Sequence, residues 1–188
     1  MEAFFLAVVM GALGETGDKT QVLTALLAAR FKRPTPIVLG LLVSTLANYA
    51  IAGLLGKWIG TVISPQWLRW GGGLLFLAIA ILTLKSDELG ESLPIDRRHG
   101  VFVITVLSTF LAEMGDKTQL ATVALAARFG SVTPVVAGMT LGVIAADTLV
   151  IVVANTVAMK ARLRGIRFIA AGLFAVLGLA TLMGVWTR

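Results

Sequence analysis

The sequence predicts an all-α integral membrane protein, with six transmembrane helices arranged as two inverted three-helix repeats. Three observations carry that expectation. Of 188 residues, 57% are hydrophobic and only 14% charged, against about 25% charged in a typical soluble domain, and the mean hydropathy is +0.92. Six apolar stretches approach the ~20 residues that an α-helix needs to cross a bilayer. Finally, the second half of the chain repeats the first at a fixed offset.

In order, the stretches are residues 4–30, 36–55, 68–84, 101–128, 134–159 and 166–185. The first begins MEAFFLAVV, with an acid at Glu2 and no basic leader, and is read as a retained helix rather than a cleaved signal. The polar segment KSDELGESLPIDRRHG separates the halves. Residues 1–84 form the first repeat, 85–100 a cytoplasmic linker and 101–188 the second repeat. His99, the one histidine, falls in that linker and is read as solvated, and there is no cysteine.

Setting residue n against n+98 aligns the halves without a gap through the first helix and into the second. Phe4 meets Phe102, Glu15 meets Glu113, and GDKTQ at 17–21 meets GDKTQ at 115–119. AARF at 28–31 meets AARF at 126–129, and Gly40 meets Gly138. Three helices per copy is an odd number, so the second copy enters the membrane from the opposite side. Inverted repeats of this kind suit a protein that presents one site to two compartments in turn.

The net charge of +6 is accounted for by loop bias, and no nucleic-acid partner is expected. With both termini outside, the inner loops hold Arg30, Lys32, Arg33, Lys85, Arg97, Arg98, Lys160, Arg162, Arg164 and Arg167. The outer segments hold only Lys57, Arg69, Arg128 and Arg188. Cytoplasmic enrichment in Lys and Arg favours that orientation. It also places Trp58, Trp67, Trp70 and Trp186 at the outer interface, where amphipathic rings prefer to lie.

The polar residues inside the first and fourth stretches carry the chemistry. GETGDKTQ (14–21) and AEMGDKTQ (112–119) put Glu15, Asp18, Lys19 and their repeats Glu113, Asp116, Lys117 near midplane. On a continuous helix Glu15 and Asp18 share a face and Lys19 pairs with Glu15, while Gly17 is a weak point where the helix can unwind. Facing lipid, an Asp or Lys costs roughly 3 kcal/mol, and six such groups on the order of 18 kcal/mol. They must therefore converge on an interior cavity. Two lysines offset two of the four carboxylates, leaving about −2 by formal count, which suits a divalent cation or two protons.

Carboxylates, amides (Gln21, Asn48, Gln119), hydroxyls (Thr20, Thr118) and backbone carbonyls offer oxygen only. Such a set suits Mg²⁺, Ca²⁺ or Mn²⁺ rather than zinc or copper. Met114 replaces Thr16 in the second motif and is read as a packing residue, with a thioether tilt towards Mn²⁺ as the alternative. Asp147, beside the position matching Asn48, either lines the same cavity or bonds a neighbouring helix. Gly138-x-x-x-Gly142, matched by Gly40-x-x-x-Ser44, is read as close helix packing.

The two copies of E-x-G-D-K-T, Glu15 to Thr20 and Glu113 to Thr118, resemble the GDT family of membrane cation/proton antiporters. That family includes Golgi proteins of yeast and animals, chloroplast relatives and bacterial manganese exporters. The resemblance covers essentially the whole chain. It implies export of Mn²⁺, in some members Ca²⁺, against protons, with Glu15, Asp18, Glu113 and Asp116 as metal ligands. Short loops look like a bacterial, multi-pass inner-membrane member. No resident cofactor is expected; the partners are the transported metal, protons and the lipid bilayer, and a homodimer is an open alternative to a monomer.

Three other readings stand beside this one. An exporter of a basic amino acid would use the acids to bind an ammonium group, which the motif lysines would repel. An intramembrane aspartyl protease would need Asp18 and Asp116 to share a proton, and leaves the repeated Glu and Lys unexplained. A non-transporting assembly factor leaves the charged midplane without a purpose. The sequence therefore points to a transporter and not an enzyme.

Overall fold

The structure, a computed structural model, describes residues 1–84, 100–153 and 159–184. The 85–99 part of the linker, with His99, lies outside the described residues, as do Trp186 and Arg188. The described residues form eight helices: α1 (Glu2–Glu15), α2 (Lys19–Phe31), α3 (Pro34–Val62), α4 (Pro65–Leu84), α5 (Val101–Glu113), α6 (Lys117–Phe129), α7 (Val132–Val153) and α8 (Met159–Leu182).

The first and fourth apolar stretches are thus each two helices, not one continuous span. α1 stops at Thr16, which turns to extended geometry at φ −63 and ψ 115, and Gly17 follows at φ 80. The repeat is faithful: Met114 is extended at φ −62 and ψ 122, and Gly115 lies at φ 73. Positive φ is nearly free for glycine and strained for other residues, so the glycine of each motif sets the break. The following aspartate then caps the next helix. Asp18 accepts a bond from Lys19 N at 2.7 Å, and Asp116 from Thr118 N at 3.1 Å, satisfying helix-start N–H groups that have no intrahelical acceptor.

The other starts and stops follow ordinary local chemistry. Pro34 opens α3 in the first turn, where a missing N–H is harmless. α2 ends with Lys32 in the left-handed region at φ 52, and α6 with Gly130 at φ 61. Among the described residues, three helices are long and apolar enough to cross a membrane, namely Pro34–Val62, Pro65–Leu84 and Val132–Leu149. α5 and the segment Phe168–Leu182 are apolar but shorter.

Packing follows the internal repeat. α1 lies along α7, where a Cβ on Gly138 would come 2.5 Å from Phe4 O and 2.8 Å from Ala7 Cβ. One turn on, a Cβ on Gly142 would overlap Val8 O and lie 2.7 Å from Ala12 N. In the matching pair, α5 lies along α3, with Gly40 against Thr105 and Phe102 and Ser44 Oγ 2.5 Å from Thr109 Oγ1. Residue numbers rise together in both pairs, so each pair runs parallel. Each half lends its leading helix to the other half, and the small residues give the close packing their spacing predicts.

The remaining pair, α4 and α8, meets through Gly73 and Gly178, each with a built Cβ under 3.2 Å from the other's carbonyl oxygen, at 3.1 and 2.9 Å. A central apolar cluster includes Met10, Tyr49, Phe76, Met139 and Phe174. The surface inverts the pattern of a soluble protein. Leu54, Leu74, Ile81, Leu149 and Val176 are exposed, while Glu15, Asp18, Thr20, Asn48, Glu113 and Asp147 are buried. A chain that faces outward with leucine and inward with carboxylate belongs in a bilayer.

Candidate functional site

The two broken helices bring the two motifs face to face. Lys117 Nζ lies 3.0 Å from Asp18 Oδ1, and Lys19 Nζ lies 3.7 Å from Asp116 Oδ1. These ion pairs cross between the halves. They replace the Glu15–Lys19 pairing within one helix that an i,i+4 spacing suggests, because the helix ends at Glu15 and Lys19 begins the next one. For the same reason Glu15 and Asp18 do not share a helix face; Asp18 belongs to the cap of α2. The pairs are unequal, since Lys117 is 8% exposed and Lys19 32%.

Each break is braced identically. The Asp18 N–H donates to Glu15 O at 3.0 Å and the Asp116 N–H to Glu113 O at 3.1 Å. Gly17 N donates to Gln21 Oε1 and Gly115 N to Gln119 Oε1, both at 2.7 Å. The glutamines thus act on backbone rather than standing as free ligands. Gln119 also donates to Asn48 Oδ1 at 3.2 Å.

The two glutamates, by contrast, sit in different surroundings. Glu113 accepts from Thr45 Oγ1 at 2.9 Å and from Asn48 Nδ2 at 3.3 Å, one donor on each carboxylate oxygen. Glu15 accepts from Thr20 Oγ1 on one oxygen, while its Oε2 is buried with no hydrogen-bond partner. Asp147 is also fully buried; its Oδ2 accepts from Thr24 Oγ1 at 3.4 Å and its Oδ1 has no partner. Glu15 lies within electrostatic reach of four other acids, Asp147 foremost, then Asp18, Glu113 and Asp116. Thr118 Oγ1 donates to Asp116 Oδ2 at 3.0 Å and accepts from Tyr49 Oη at 3.0 Å.

Five carboxylates against two lysines leave a formal excess of negative charge in one buried region. The arrangement is oxygen-rich throughout. Among the described residues, however, no group of three or more acidic or histidine side chains is drawn together tightly enough to enclose a metal ion. Met114 is 56% exposed, so it does not pack in the core. A cavity of about 240 Å³ lies elsewhere, lined by Trp67, Arg69, Gly72, Phe76 and Arg128 among others, with no motif residue in its walls.

Thr24, Thr45 and Tyr49 are the contributors that the motifs do not announce. Ser44, Thr45, Asn48 and Tyr49 form a polar stripe at helical spacing along an otherwise apolar α3. That stripe is a legible signal for a buried polar face.

An apolar helical exterior around paired, cross-linked acid motifs defines a membrane transport protein, since intramembrane acids of this kind mark ion pathways. The family described as "Divalent cation/proton antiporter GDT1" matches residues 3–91 and again 101–188, once per half. The chain belongs to this family of transporters, which are not enzymes. It is 39% identical over 182 residues to a protein of Vibrio cholerae named "Putative manganese exporter", covering 96% of this chain and 90% of that one. It is 28% identical over 200 residues to "GDT1-like protein 3" of Oryza sativa, covering 92% of this chain and 71% of the relative. A GDT1-like protein of Synechocystis is 30% identical over 148 residues, covering 68% of this chain and 71% of its own length. No solved structure matches the chain.

Proposed function

We propose that this protein exports a divalent cation, Mn²⁺ first and Ca²⁺ second, in exchange for protons. In this reading it lies in the bacterial inner membrane with both termini outside. Residues 1–84 and 101–188 act as inverted repeats of three spans each, the first span of each repeat broken at its motif. Glu15, Asp18, Glu113 and Asp116 supply cation-binding oxygen, and Asn48, Thr20, Thr118, Gln21 and Gln119 hold the backbone and carboxylates in place.

The observation that carries this reading is the crossing of Lys117 to Asp18 and Lys19 to Asp116 between the halves. Each ammonium occupies the carboxylate of the opposite motif, as a cation would. Arrival of a divalent ion lets the lysines withdraw, and its departure lets them or protons return. Metal and proton then compete for the same oxygens, which is the minimum requirement for exchange. With an inward proton gradient the cation moves outward. Because each motif belongs to a different half, relative motion of the halves alters the site itself rather than a distant gate.

The test is cation-dependent proton movement in proteoliposomes, compared across Mn²⁺, Ca²⁺, Mg²⁺ and Zn²⁺. Mn²⁺ or Ca²⁺ should drive proton movement and Zn²⁺ should not, as the oxygen-only donor set requires. Proton movement driven only by Zn²⁺, or by none of the four, contradicts the proposal.

A further inference from the structure

The internal repeat breaks down at the position that matters most for charge. Under the 98-residue offset, Thr45 and Asn48 correspond to Val143 and Ala146, and Tyr49 corresponds to Asp147. In the first half, α3 meets Glu113 with neutral donors from Thr45 and Asn48, so both oxygens of that glutamate are satisfied. In the second half, α7 has lost both donors and carries a carboxylate instead.

The register brings that carboxylate to Glu15. Gly138 meets Phe4 and Ala7, and Gly142 meets Val8 and Ala12. Continuing the parallel course by one more turn sets residues 146 and 147 at the level of Glu15. Asp147 accordingly lies within electrostatic reach of Glu15, and Thr24 of α2 holds it from the far side of the break. Glu15 Oε2 and Asp147 Oδ1 are each buried with no hydrogen-bond partner. Two buried carboxylate oxygens without a hydrogen-bond partner are costly, and a cation bridging them removes the deficit. The hydroxyls of Thr20 and Thr24 already bond the other oxygens of the same two groups.

Resting on the divalent-cation reading above, we infer that the cation binds off the pseudo-symmetry axis, bridged by Glu15 and Asp147. Glu113 serves the opposite half as a hydrogen-bonded acid that does not contribute equally to binding. Asp147 is then a cation ligand.

Equilibrium binding of radioactive Mn²⁺ to the purified protein in detergent tests this, comparing wild type with Asp147→Asn, Glu15→Gln and Glu113→Gln. Asp147→Asn and Glu15→Gln should each weaken binding at least about tenfold, the scale at which even indirect partners of a metal matter. Glu113→Gln should weaken it distinctly less. Loss of binding in Glu15→Gln with wild-type affinity in Asp147→Asn overturns this inference and leaves the transport reading intact. Affinity lost equally in Glu113→Gln and Asp147→Asn overturns the asymmetry. No Mn²⁺ or Ca²⁺ binding by the wild type overturns both. Should Asp147→Asn fail to fold, Asp147→Glu keeps the charge but lengthens the side chain, and the Mn²⁺ to Ca²⁺ affinity ratio should shift; an unchanged ratio is the contrary result.

Discussion

Lys117 Nζ reaches across from the second half of the chain to within 3.0 Å of Asp18 Oδ1. The pair is almost wholly buried, whereas its counterpart between Lys19 and Asp116 is longer, at 3.7 Å, and partly exposed. Removing one member of a buried pair strands a charge and costs about 3–5 kcal/mol, while solvent around the part-exposed Lys19 screens its pair and lowers that cost. Lys117→Ala should therefore lower thermal stability in detergent much more than Lys19→Ala. Equal losses would show that the two pairs are energetically equivalent despite their geometry.

Replacing Glu15 or Glu113 with Gln preserves shape and removes a charge. Mn²⁺ uptake into inside-out vesicles should collapse for Glu15→Gln and fall for Glu113→Gln, with both variants still inserted and monodisperse. Normal uptake by both would remove the acids from the transport path.

Gly142 holds α1 against α7. A Cβ there overlaps the Val8 carbonyl oxygen and crowds Ala12 N, both backbone atoms that cannot rotate away. Gly142→Ala should push the helices apart, lower stability by about 1–3 kcal/mol as overpacking does, and weaken cation binding by moving Asp147 relative to Glu15. The same substitution at Gly72, where a Cβ meets nothing within 4 Å, should leave both unchanged. Melting curves and Mn²⁺ binding on the two variants decide it.

Apparent Mn²⁺ affinity should weaken as pH falls. Protons compete with the cation for the shared carboxylate oxygens, and each proton bound there removes negative charge from the site. Binding isotherms between pH 8 and about pH 4, reaching down to the ordinary carboxylate range, should shift steadily to higher metal concentration. A flat response would mean that protons and metal do not share a site.

The residues forming the buried polar cluster were largely readable in the sequence, because charge inside an apolar run has few innocent explanations. The glycine packing at Gly138 and Gly142 was readable too, since small residues four apart have one dominant use in apolar helices. The partners of the lysines were not. An i,i+4 rule presumes an unbroken helix, and although Gly17 signals weakness, only the structure shows the chain turning there and sending Lys19 to Asp116. Thr45 was legible only as one of the polar stripe on α3, and the partners of Thr45 and Thr24 were not: a buried threonine often bonds its own helix, as Thr105 and Thr109 do, and sequence does not distinguish that from a bond to a carboxylate. Met114 misled in a third way, since an apolar residue in a motif looks like core and in fact is exposed.

The central claim is obligatory exchange, and simultaneous recording of Mn²⁺ and proton flux in proteoliposomes at clamped membrane potential tests it most directly. An imposed proton gradient should drive Mn²⁺ in the opposite direction, and an imposed Mn²⁺ gradient should move protons against it, with both fluxes lost together in Glu15→Gln. Mn²⁺ flux that proceeds at the same rate with the proton gradient abolished, and with no accompanying proton movement, would contradict the account.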